Sequence, residues 1–275
     1  MTDLIFSAVY SPDELIESYT QSKLNGLWWK NFLELAYEDN TLFWDDSNIG
    51  EHPYNNDADP DNDVTLTDLA QKNQLDGIQF LAGVFNESGT ATRTIYIDPE
   101  SILFFPILNT VWVPEEGDNG YPGSIFEEVK AALNENMDNV EDLFVSIDNL
   151  EIPDIVNYRQ DPMLEDEFLI ETGGLVEDPN YDILGPTYSS GYYIGLNPLP
   201  PELGGHTIHF EGVITSNGFE LDLTYNIRYD FNEVFGTDGK DKNLLGTDKS
   251  DHIQGLDGKD TILGLTVLRK KRKSK

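Results

Sequence analysis

The sequence predicts a mixed, β-dominated fold. A β-sandwich-like N-terminal domain opens with a helical segment and is followed by a short parallel β-roll of repeats. Three observations point to it. Apolar and polar residues alternate at period two through much of the last third of the chain, as half-buried strands do. Residues 11–38 carry a cap and helical spacing. Three tandem Gly/Asp copies recur near the C-terminus at nonapeptide-like spacing.

The elements follow in order. Ser11-Pro12-Asp13-Glu14 reads as a helix start, with proline at the first helical position and acids in the first turn. Leu15, Tyr19, Leu24, Leu27, Trp28, Phe32, Leu35 and Ala36 then recur at helical spacing, with Asn25-Gly26 a candidate break. Trp28-Trp29 reads as core. Residues 39–68 are acidic and loop-like, and residues 77–113 read as strands and short turns. Within them 90–97 alternates, and 103–109 is an apolar run suited to a buried strand. Ser124 with Glu127 forms a capping box that opens a helix over 124–134, and 137–140 reads as a separate short helix or turn. Residues 144–152 return to strand, with Asp148-Asn149 at a turn. Strands at 192–196, 206–210 and 219–229 complete the sandwich-like pattern, joined through Pro198-Leu199-Pro200-Pro201 and Gly204-Gly205.

The chain has 51 acidic and 17 basic residues, a formal charge of −34. Such a surface repels nucleic acid and anionic membranes and attracts divalent cations. Six of the basic residues sit in the tail 269–275, so residues 1–268 carry only 11. The abrupt onset of that tail inside a repeat reads as an altered, truncated or frame-shifted end, or as a segment that folds back on the acidic body. With no cysteine, disulfides, thiolate zinc sites and cysteine nucleophiles are excluded. Residues 1–10 show neither a basic n-region nor a long apolar run, so no N-terminal signal peptide is expected. No stretch reaches the roughly 18 apolar residues of a membrane span.

The repeats carry the most chemistry. Gly255-Leu256-Asp257-Gly258-Lys259-Asp260-Thr261-Ile262-Leu263 follows Gly246-Thr247-Asp248-Lys249-Ser250-Asp251-His252-Ile253-Gln254. Before them stands Gly236-Thr237-Asp238-Gly239-Lys240-Asp241, closed by Leu244-Leu245. Ca²⁺ takes six to eight oxygen ligands from carboxylates and carbonyls. Glycine lets the backbone turn tightly enough for carbonyls to converge, aspartate supplies charge, and the aliphatic residue builds a thin core between turns. The copies resemble hemolysin-type (RTX) calcium-binding repeats. That resemblance implies a roll with two nonapeptides per coil and ions between turns two repeats apart. It pairs the turn at 236–241 with that at 255–260. The implied metal residues are Gly236, Asp238, Gly239, Asp241, Asp248, Asp251, Gly255, Asp257, Gly258 and Asp260, with Asp241 and Asp260 the leading carboxylates. The array departs from the pattern at Thr237, Thr247 and Leu256 in place of the second glycine, at Lys249, and in one extra residue near Lys242.

A second acidic loop runs from 57 to 68. Asp57, Asp59, Asp61 and Asp68 fall at positions 1, 3, 5 and 12 of an EF-hand count, and Asp63 falls at position 7. Asn62 replaces the glycine expected at position 6, so an ion-binding loop and a solvated acidic loop both remain open.

Trp28-Trp29, residues 80–83, 90–94 and 103–109, Pro198-Leu199-Pro200, residues 206–212 and 221–226 occur in this order. Over about 25–230 they resemble a group of uncharacterised, exported bacterial proteins with a β-sandwich-like end. No activity is implied. His206 and His209 lie three apart on a strand and should face opposite ways, which argues against a shared metal. No hydrolase elbow, P-loop or dinucleotide fingerprint is present. Trp44, Trp112, Tyr192 and Tyr193 suit either the core or a sugar-stacking surface.

Together these features predict a domain at 1–235, RTX-like repeats at 236–268 and a basic tail at 269–275. The resemblances imply a calcium-ion-binding protein without catalytic activity, exported to the extracellular space by a type I-like route. The alternative is an extracellular hydrolase or carbohydrate-binding module whose repeats serve export and stability, with an extracellular polysaccharide or a protein as partner.

Overall fold

The computed structural model describes residues 6–55, 63–85, 88–114, 126–175, 183–200, 205–229, 232–235, 244–245, 251–254 and 262–263. They fall into two compact units, Met1–Arg228 and Tyr229–Lys275.

In the first unit, helix α1 (Gln21–Glu34) starts well after the expected cap at Ser11. Thr20 caps it instead, its hydroxyl accepting the Lys23 N–H. Upstream, Glu17 takes φ 57° and Ile16 and Tyr19 exchange backbone hydrogen bonds, so the chain turns where helical spacing alone suggested a helix. Asn25-Gly26 does not break α1. Gly26 leaves room for Phe168, whose Cδ1 would lie 2.9 Å from an added Cβ. Trp28 and Trp29 are buried, as expected.

Next come α2 (Leu66–Gln71), β1 (Gln74–Leu75), β2 (Ile78–Phe80), β3 (Thr90–Ile97) and β4 (Ile102–Trp112). Helix α3 (Phe126–Asp138) covers most of the expected 124–134 helix and extends four residues past its end. It runs on through Met137, which is buried, and so takes up the first half of the 137–140 segment expected to stand alone, while Val140 already opens the next strand; its expected cap, Ser124, lies outside the described residues. Then follow β5 (Val140–Ile147), β6 (Leu150–Glu151), β7 (Arg159–Gln160), β8 (Phe168–Glu171), β9 (Ile183–Leu196), β10 (His206–Ile214) and β11 (Phe219–Tyr229). Asp148 and Asn149, at φ 51° and 64°, make the tight turn between β5 and β6.

Two sheets result. One has the order β1-β2-β4-β9-β7, with β8 also on β9, and the other β3-β11-β10-β5-β6. They meet through Phe105 of β4 and Phe210 of β10, whose rings are 4.9 Å apart, and Phe210 in turn stacks on Tyr225. The opposite face of the first sheet carries Phe104 and Tyr193 and packs on Trp28 and Phe32 of α1. Covered on both sides, β4 is buried without interruption from Ile102 to Leu108, which explains its unbroken apolar run. By contrast β10 and β11 alternate buried and accessible residues, so one face of the second sheet is open. The β-dominated, sandwich-like architecture expected from the sequence is therefore present. Arg93 is fully buried and donates to the carbonyls of Trp44, Ala82 and Gly83 and to the Tyr225 hydroxyl, tying loop backbone to β11. Among the described residues, no helix is long and apolar enough to cross a membrane.

The second unit contains β12 (Asn232–Phe235), β13 (Leu244–Leu245), β14 (Asp251–Gln254) and β15 (Ile262–Leu263). β12 pairs with β14 and β13 with β15, both in parallel. The hydrogen bonds of Asn232–Phe235 thus go to the repeat segment, although the sequence placed these residues at the end of the first domain.

Candidate functional site

Of the repeat residues, Gly236, Asp238, Gly239, Asp241, Asp248, Gly255, Asp257, Gly258 and Asp260 lie outside the described residues. Asp251 opens β14, opposite Asn232. The flanking strands give the spacing. Asn232 pairs with Asp251 and Phe235 with Gln254, an offset of 19 residues. Leu244 pairs with Ile262 and Leu245 with Leu263, an offset of 18. Each offset is close to two nonapeptides. The difference of one corresponds to the extra residue near Lys242 in the first copy.

Asp57, Asp59 and Asp61 also lie outside the described residues, whereas Asp63 is exposed just beyond them. The loop ends are clasped by Asn55, whose Nδ2 donates to the Val64 carbonyl at 2.9 Å and whose Oδ1 accepts the Val64 N–H. Asp68 lies in the first turn of α2. Its Oδ2 accepts from the Thr65 N–H at 2.9 Å and from the Thr65 hydroxyl at 2.6 Å, while the Thr65 hydroxyl accepts the Asp68 N–H. This is a reciprocal capping box. The signal was present in the Thr65-Leu66-Thr67-Asp68 spacing, but counting Asp68 as a loop position obscured it. Only Oδ1 of Asp68 could turn toward an ion without breaking the box.

The two histidines of β10 face opposite ways, as strand parity requires. His206 points inward, between the Asp148 carboxylate at 2.7 Å and the Pro200 carbonyl at 2.7 Å. His209 points to the open face. There its Nε2 lies 2.9 Å from Asp222 Oδ1 and 3.8 Å from Glu211 Oε2, and its ring lies 5.5 Å from that of Phe144. The parity that separates His209 from His206 brings Glu211, two residues along, to its side. Register supplies Asp222, the direct cross-strand partner of Glu211. Neither acid stood out in the sequence, because nothing local couples residue 222 to residue 209.

Glu211 and Asp222 of this trio, but not His209, line a cleft of about 560 Å³ together with Ser88, Thr90, Asp142, Glu220 and their neighbours. A bulge shapes one wall: β5 shifts register between Glu211 and Val213, and Asp142 takes φ 55° there. A neighbouring groove of about 550 Å³ shares Thr90 and Asp222 and ends at Asp45, Asp46 and Ser47.

The aromatics considered for sugar stacking are not displayed on the surface. Trp44, Tyr192 and Tyr193 are buried, and Trp112 packs half-buried against α3. Burial raises the Tyr193 and Tyr225 hydroxyls above the ordinary tyrosine range, and burial with Glu167 close by pushes Tyr188 up to about 12. No family model, curated protein or solved structure matches this chain.

Proposed function

We propose that the chain is a calcium-ion-binding, exported protein without catalytic activity of its own, whose C-terminal repeats fold as a short parallel β-roll. The supporting observation is the parallel pairing of strands about two repeats apart, at offsets of 19 and 18 residues. On this reading the turn at 236–241 is paired with the turn at 255–260, as the resemblance to RTX repeats implies, with Asp241 and Asp260 as ligands to one ion. Calcium offsets the repulsion among these carboxylates, and because the site exists only in the coiled state, its binding free energy becomes folding free energy. The acidic loop at 57–68 is a second, independent calcium candidate, with its ends held by the Asn55 clasp.

Limited proteolysis tests the reading. Cleavage within 236–265 should be fast in chelator and slow in millimolar calcium, with calorimetry giving the stoichiometry. Equal cleavage rates in both conditions would rule the reading out.

A further inference from the structure

We infer that His209, Glu211 and Asp222 form a binding site for a divalent transition metal of the zinc class, separate from the calcium repeats, with open coordination positions facing the cleft. Three features lead there.

The first is donor geometry. The three ligand atoms lie within 4.8 Å of one another. Metal–ligand bonds of about 2.0–2.2 Å in a tetrahedral arrangement place donors about 3.3–3.6 Å apart. The separations from His209 Nε2, 2.9 and 3.8 Å, bracket that spacing. An ordinary ion pair accounts for the Asp222 contact alone. At 3.8 Å, Glu211 is too far for a hydrogen bond to the same nitrogen.

The second is an unfavourable pairing. Glu211 and Asp222 are direct partners in an antiparallel ladder. Like charges placed directly opposite destabilise a sheet. Among the described residues no lysine or arginine lines the cleft beside them, which adds Asp142 and Glu220 instead. A dication between Glu211 and Asp222 turns this repulsion into attraction.

The third is rigidity and access. Two ligands come from one strand, two residues apart, and the third from its neighbour, so sheet register holds the trio in place. Phe144 lies beside the imidazole, and the cleft lined by Glu211 and Asp222 leaves room for water or an oxygen-bearing ligand. Three protein donors with an open position are characteristic of accessible zinc sites, whereas an imidazole nitrogen is a poor donor for calcium.

The test uses the full chain in saturating calcium, titrated with Zn²⁺ by calorimetry and with Co²⁺ by visible absorption. The wild type should take up one Zn²⁺ that excess Ca²⁺ does not displace. His209→Ala should lose it, and isosteric Asp222→Asn should weaken it by at least tenfold, since even supporting residues of metal sites matter about 10–100-fold. Both should keep the wild-type circular dichroism, because these side chains are solvent-accessible. His252→Ala, in the repeats, should bind Zn²⁺ as the wild type does. No uptake by the wild type, displacement by calcium, retention in both His209→Ala and Asp222→Asn, or loss in His252→Ala would each overturn the assignment.

Discussion

Phe210 sits between His209 and Glu211 in sequence and faces the opposite way, fully buried against Phe105 and Tyr225. Its packing holds β10 in the parity that presents the other two residues to the open face of the sheet. A slip of one residue would turn them inward. Phe210→Ala should cost about 3–5 kcal/mol, the usual range for deleting a buried ring when its cavity does not collapse. Domains are stable by about 5–15 kcal/mol, so the loss is a large fraction of the total. Phe210→Leu keeps most of the volume and should cost much less. Thr224→Ala, on the open face of β11, should stay within about 0.5 kcal/mol of wild type. Urea denaturation in chelator, followed by near-UV circular dichroism, isolates the first unit from any calcium contribution. At an m-value of about 2 kcal/mol/M, Phe210→Ala lowers the midpoint by roughly 1.5–2.5 M. A loss under about 1 kcal/mol, or an equal loss for Thr224→Ala, would refute the face-to-face packing of the sheets at this point.

Two further predictions concern charge. Asp260→Ala should abolish the calcium-induced change in the repeats and leave any site in the 57–68 loop, while Asp59→Ala should do the reverse. The double mutant should show additive losses, as sites without shared ligands do, and unchanged calorimetric stoichiometry in Asp59→Ala would reduce that loop to a solvated acidic segment. The tyrosines set an alkaline limit. Tyr188, at about 12 in the folded protein against 10.0 ordinarily, keeps its proton longer when folded than when unfolded. Its contribution is therefore fully present below pH 10 and falls, by up to about 1.4 kcal/mol per pH unit, as pH rises toward 12. Tyr188→Phe should flatten the decline of thermal midpoint over that window, and an unchanged slope would count against the shift.

Much of the fold was legible because it is written in local periods. Alternation at 90–97, 206–210 and 219–229 appears as strands with alternating burial, and the apolar run at 103–109 appears as the strand enclosed on both faces. The Asp148-Asn149 turn was equally plain, since few residues other than glycine tolerate positive φ. Helix bounds were less so. Ser11-Pro12 had the chemistry of a helix start, but Glu17 reverses the chain behind it and Thr20 takes the cap. Gly26 had the chemistry of a break, but serves as the point where Phe168 approaches the helix.

The sequence by itself determined the acidic character, the absence of thiol chemistry, the strand periodicity and the two-repeat spacing of the Gly/Asp copies. Each of these depends only on residue type and on distances of a few residues along the chain. Tertiary structure alone decided which face of the second sheet stays open and that Asp222 meets His209 and Glu211. Cross-strand register follows from the turn between β10 and β11 and from what their buried faces pack against, and no local pattern in the chain encodes that.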